Sequence, residues 1–273
     1  MLKKVKTAFV TSMVAGTFGV MGVANASGIE VTVENLAASN GFFLTPTWVG
    51  FHDGSFDVYD TDAKASAGLE RLAEDGNTSV LSSEFAAVTT RGAGGVDDVI
   101  FDGGPIAPGT SASKMFDGLD KLDNRYFSYA AMVIPTNDAF IANGSPSAYA
   151  LFNDAGEFTG PIVINIYGKD VLDAGTEVND EFGVAFLTGT GGQTSADQGS
   201  VESNLVGAHA GLLDGGNILG GTTAAGTVFG DDIIGSDTLL ARITINQLPE
   251  PSSLGLLGLA GLAIVGRRRK TQG

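Results

Sequence analysis

Hydrophobic and polar residues alternate with a period of two in several stretches of this chain, the pattern of β-strands with one face in a core. Ile29–Leu36 (IEVTVENL) places valines at alternate positions. Pro161–Tyr167 (PIVINIY) and Leu239–Ile245 (LLARITI) read as further strands, and Tyr126–Pro135 (YFSYAAMVIP) is a longer apolar β segment. Gly41–Phe51 (GFFLTPTWVGF) is aromatic and β-branched, but Pro46 predicts an edge strand or a broken one. Val99–Phe101 is a short apolar run, Ser147–Phe152 a short strand or a turn, and Ser113–Leu122 is ambiguous because charges interleave it. The period changes over Ser66–Asp75, where Leu69, Leu72 and Ala73 take helical spacing and Gly76 is placed to end the helix. A second short helix is predicted over Val80–Val88. Asp53-Gly54 marks a turn, Thr188–Gly199 a polar loop and Gly207–Gly226 a glycine-rich stretch. Short strands between long loops, with no repeat and no polar linker, predict an all-β antiparallel sandwich with short accessory helices.

Both ends stand apart from this pattern. Lys3, Lys4 and Lys6 precede a mostly apolar stretch, Ala8–Val23, and then Ala24-Asn25-Ala26. That order predicts a secretory signal peptide over residues 1–26, cut after Ala26, because the apolar run is short for a spanning helix. At the other end Pro249-Glu250-Pro251 precedes an uncharged run, Leu254–Gly266, and then Arg267, Arg268, Arg269 and Lys270. The prolines separate the run from what precedes it, and the cations would hold the cytoplasmic side of a membrane. This arrangement resembles the PEP-CTERM sorting tail of Gram-negative bacteria. The resemblance implies a transmembrane segment within residues 249–273, an exosortase that reads the motif, and transient inner-membrane anchoring. The sandwich is then residues 27–248.

Charge sharpens the picture once the ends are set aside. The whole chain carries a net charge of −16, but the ends hold seven of its fifteen basic residues and one of its thirty-one acids. Residues 27–248 therefore carry 8 basic against 30 acidic residues, a net charge of −22. Such a surface disfavours nucleic-acid partners and repels itself, and divalent cations would relieve the repulsion. Cysteine is absent, which excludes disulfides, thiolate metal sites and thiol nucleophiles.

The candidate chemistry is carboxylate chemistry. Asp138 follows the strand ending at Ile134, and Asp173 and Glu177 follow the 161–167 strand, with Asn179, Asp180 and Glu181 close behind. Oxygen ligands at the ends of neighbouring strands can converge on one Ca²⁺, which takes ~6–8 oxygens, and Gly175 would let the chain bend between the two acids. The same acids can equally be solvated surface. Catalytic signals are thin. His52 and His209 are the only histidines; neither has a nucleophile beside it in sequence, and a surface or turn-stabilising role suits them, His209 in a flexible glycine-rich stretch. Ser111-Ala112-Ser113-Lys114 fits S-x-x-K without its companion motifs. Phe42, Phe43, Trp48 and Phe51 read as core or edge packing, with a sugar-stacking face as the alternative.

Longer segments carry a second resemblance. YFSYAAMVIPTNDAFIANG, DAGTEVNDE, ARITI and TPTWVGFHDGSFDVYDTDAKASAGLERLAEDG resemble the spondin N-terminal domain, over roughly Ile29–Ile245. That family implies a sandwich of about eight antiparallel strands with one calcium ion at its loop end and a place in extracellular matrix. Its ligands carry over to Asp138, Asp173 and Glu177, the last standing where the animal members have Asp. The animal members also have cysteines, and this chain has none. The combined expectation is a secreted, non-enzymatic, calcium-binding surface or matrix protein associated with adhesion, biofilm or exopolysaccharide. Its partner is then an extracellular polysaccharide or surface protein, with exosortase during export. The membrane is touched only through the terminal segments before processing. A calcium-dependent carbohydrate-binding module and a carboxylate-dependent polysaccharide-active enzyme are the alternatives.

Overall fold

The computed structural model describes residues 28–189 and 198–248. Twelve strands and two helices follow one another among them. In chain order they are β1 (Gly28–Asn35), β2 (Phe43–Leu44), β3 (Thr47–His52), α1 (Ala67–Asp75), α2 (Ser79–Val88), β4 (Val96–Ile100), β5 (Ser111–Phe116), β6 (Tyr126–Ile134), β7 (Ala139–Ala142), β8 (Tyr149–Ala150), β9 (Ile162–Tyr167), β10 (Leu172–Asp173), β11 (Gly207–Ala208) and β12 (Leu239–Leu248). The fold is an all-β antiparallel sandwich. One sheet runs β5-β1-β12-β9, and the other β11-β10-β7-β6-β3-β4, with β2 and β8 also pairing with β6. Several strands are only two residues long, so the count exceeds the expected eight without changing the architecture.

Alternation places the core between the sheets. Ile29, Val31 and Val33 of β1 point inward beside Ile243 and Ile245 of β12, and Val49, Phe51, Phe127 and Tyr129 meet them from the other sheet. Each such side chain contributes ~1.5–3 kcal/mol when fully withdrawn from water. The second sheet is buried on both faces. Residues of β6 alternate: Phe127, Tyr129, Ala131 and Val133 face the first sheet, whereas Ala130 joins Trp48, Leu69, Leu72, Leu81 and Phe85 beneath the helices. The helices thus form a third layer on the outer face. A β-carbon at Gly50 would lie 2.5 Å from the Trp48 ring and 2.9 Å from Phe85, so the bare backbone lets this layer close down on β3.

The aromatic strand is broken at Pro46 as predicted, into β2 and β3, but β3 is an interior strand between β6 and β4 rather than an edge. Phe42, Phe43, Trp48 and Phe51 are all buried in the core, which removes the sugar-stacking face. The ambiguous 113–122 region contributes β5, whose alternate residues Ala112 and Phe116 are buried. The predicted signal peptide over residues 1–26 and the tail from Pro249 onward lie outside the described residues. So do Ala24, Ala26, Glu250, Pro251, Arg267, Arg268 and Arg269, and most of the polar loop at 190–197.

Candidate metal centre

Strand pairing brings Asp173 beside Asp138. β6 ends at Ile134, and a turn over 135–138 leads into β7. The Thr136 hydroxyl accepts the Ala139 amide at 3.2 Å and tightens that turn. β10 pairs with the start of β7, setting Asp173 opposite Ala139, next to Asp138. Gly175 follows with φ +69°, and its amide donates to Asp173 Oδ1 at 2.7 Å, the bend anticipated from the sequence. A β-carbon there would lie 2.8 Å from the Asn204 backbone.

Asp138 is fully buried. Its Oδ2 accepts the amides of Thr176 at 2.8 Å and Glu177 at 3.1 Å and the Thr176 hydroxyl at 3.3 Å. Its Oδ1 is buried with no hydrogen-bond partner. Burial, and next the Asp173 carboxylate, push the Asp138 carboxyl up to about 7, against the stabilising donors. A buried acceptor left unpaired beside a second carboxylate is costly, and a cation would remove both penalties. Glu177 is placed differently. Its backbone amide serves Asp138, but its own carboxylate turns to the 198–200 segment, where Oε1 accepts the Gly199 amide at 2.9 Å. Among the described residues, no group of three or more His, Asp or Glu side chains is arranged to hold a metal ion. The structure therefore joins Asp138 to Asp173 and sends the third predicted carboxylate to a neighbouring loop.

His209 belongs to this centre, and nothing in its sequence surroundings pointed there. It is buried rather than part of a flexible stretch. The Gly211 amide donates to Nδ1 at 3.0 Å, so the ring proton sits on Nε2, which donates to Asn179 Oδ1 at 3.1 Å. Asn179 is thereby oriented so that its Nδ2 donates to Asp173 Oδ2. Burial lowers the His209 pKa, opposed by Asp173, Asp232 and Glu181, which fits this neutral tautomer. Glu181 was also missed as a structural group. It is buried at φ +59°, and its carboxylate accepts the Leu213 and Ile218 amides at 2.8 Å each.

His52 is buried too, not on the surface, although it does stabilise its turn by accepting the Gly54 amide on Nδ1 at 3.0 Å. The fold brings Ser128 Oγ within 2.9 Å of Nε2, a neighbour the sequence did not place there. With Nδ1 occupied as an acceptor, Nε2 carries the proton and donates to Ser128. The ring therefore cannot take the serine proton, and the pair is not a nucleophile with its base.

The family model of the PEP-CTERM protein-sorting motif matches residues 247–270. The chain carries an exosortase sorting motif. That motif marks an exported protein whose C-terminal tail is sorted through an exosortase. Its match overlaps the last two residues of β12, Gln247 and Leu248, so the sorting motif begins where the sandwich ends. No curated protein matches the chain. Among the described residues, no helix is long and apolar enough to cross a membrane.

Proposed function

We propose that the exported sandwich is a non-enzymatic, calcium-binding surface or matrix protein of spondin-like type, released from a Gram-negative cell after its tail has been processed. The buried, unpartnered Asp138 Oδ1 beside Asp173 carries this reading. Asp138 and Asp173 would hold the ion directly, since carboxylate oxygens that accept one hydrogen bond retain a second lone pair. Glu177 would join as the third carboxylate by giving up the Gly199 amide, and its extra methylene gives it the reach. The ion would lock the β6–β7 turn to the loop after β10 and offset part of the −22 charge. Adhesion or association with exopolysaccharide follows from the export route and the acidic, calcium-bridgeable surface.

The test is calcium titration of the full chain by calorimetry, with melting curves in calcium and in EDTA. One saturable site is expected, lost in Asp138→Ala and Asp173→Ala, with a melting temperature several degrees lower in EDTA. Identical melting curves in the two buffers would sink the structural-calcium reading.

A further inference from the structure

A cleft of about 500 Å³ opens on the side of the sandwich where β9, the edge of the first sheet, approaches β7, β8 and β10 of the second. Its size lies within the ~300–1,000 Å³ of small-molecule sites. Three tyrosines line it, Tyr59, Tyr129 and Tyr149, together with Asn143, Asn165 and Asp170. Tyr129 and Tyr149 lie with ring centroids 6.3 Å apart, and Tyr59 is braced edge-on against Phe140 at 5.6 Å. The charge of Asp170 acts on all three phenols. Together with burial it raises their pKa values, so they remain neutral donors.

The polar wall divides into fixed and open groups. Asn143 is fully used: Oδ1 accepts the Tyr129 amide at 2.8 Å, and Nδ2 donates to Ser128 Oγ and the Ser145 carbonyl. Asn165 is not, because Oδ1 accepts from Arg242 Nε at 3.1 Å while Nδ2 has no partner among the described residues. Asp170 Oδ2 holds the Tyr167 amide at 2.8 Å, which fixes the carboxylate at the rim. Lys169 also lines the cleft, with its ammonium paired to Asp237 at 2.6 Å. With Lys169 paired to Asp237, the lone Asp170 carboxylate disfavours a free anion, and the lining offers a cation no second carboxylate. Neutral phenols, an open amide and apolar ring surface suit a ligand whose groups both donate and accept around an apolar face.

From this lining we infer that the cleft is a binding site for a neutral saccharide, engaged by the Tyr59 and Tyr149 phenols, Asn165 Nδ2 and Asp170. The site is separate from the Asp138 centre and needs no calcium.

The experiment titrates the full chain, in a polyoxyethylene detergent that carries no sugar headgroup and with EDTA present, with cellotetraose, maltotetraose and xylotetraose. Trigalacturonate and tetramethylammonium serve as the anionic and cationic comparisons. Saturable binding of at least one neutral oligosaccharide is expected. Tyr149→Phe and Asn165→Ala should each weaken it about two- to tenfold, the loss of one neutral hydrogen bond, with unchanged melting curves showing that the variants fold. Three results overturn the inference: no neutral saccharide binds, only a charged probe binds, or both variants bind as the parent does. Binding that appears only with calcium would overturn it as well, and would leave the calcium reading intact.

Discussion

His52 and Asp138 are both buried, and burial drives their titrations in opposite directions. His52 is held down to about 4 by loss of solvation, against a usual 6.5, so its contribution to stability is complete above about 6.5 and is lost as pH falls toward 4. Asp138 is pushed up to about 7, so its contribution is complete below the usual carboxylate value and is lost as pH rises through 7. In EDTA the falling Asp138 slope opposes the rising slopes of His52 and His209 between about 4 and 6.5, so the melting temperature should rise with pH there less steeply than the histidines alone would make it. Asp138→Asn removes the falling slope, so its stability in EDTA should rise with pH by at least about 3 kcal/mol over that window, the size of the His52 shift, to which the lowered His209 adds in the same direction. Calcium should give the parent chain the same rising profile, because a bound cation keeps Asp138 ionised. A level profile in the variant contradicts this account. That Asp138 and Asp173 lie side by side was legible because both come just after strands in the sequence. His209 and Asn179 were not, because their roles depend on a tautomer and a loop contact thirty residues apart in the chain.

At the level of elements, α1 is written plainly in the sequence. Ser66 accepts the Leu69 amide at 3.1 Å as its N-cap, and Gly76 closes it at φ +70°. The helix survives by covering Trp48 and Phe85 rather than by its own propensity. Phe85→Ala should therefore cost about 3–5 kcal/mol in urea unfolding, since Phe85 packs against both Trp48 and Phe56. An exposed substitution such as Ser83→Ala should cost little. Glu181 does similar work for the loop at 211–218. Glu181→Ala strands two amides, and hydrogen exchange at Leu213 and Ile218 should accelerate by at least tenfold. β1, β6, β9 and β12 could be read from periodicity because their β-branched residues fill a two-sided or half-buried sheet. β7, β10 and β11 could not, because runs of two to four residues carry no period. They exist as strands through tertiary pairing, β7 between β6 and β10, and β11 against β10.

Across the whole molecule, the sandwich begins and ends at one place. Gly28 pairs with Leu248, so the first described residue and the start of the sorting motif lie on adjacent strands at one end of the first sheet. The cleft lies toward the other end of that sheet, since Asn165 pairs with Arg242 and the Lys169 amide donates to the Ser236 carbonyl, both near the start of β12. At ~3.3 Å per residue, the six residues from Arg242 to Leu248 span roughly 20 Å, which sets the cleft about that far along the sheet from the place where the sorting motif begins. β12 is also the strand that cannot be spared, because it joins β1 to β9 in the middle of the sheet and buries Leu240, Ala241, Ile243 and Ile245. The sorting match overlaps only Gln247 and Leu248 of it, at the end where β12 pairs with β1 but no longer with β9. Removal of the tail should therefore leave the fold intact. A chain ending after Leu248 should unfold cooperatively at the melting temperature of the full chain, whereas one ending after Leu240 should show no cooperative transition. Loss of cooperativity in the longer of the two would mean that the tail contributes to the fold it is meant only to deliver.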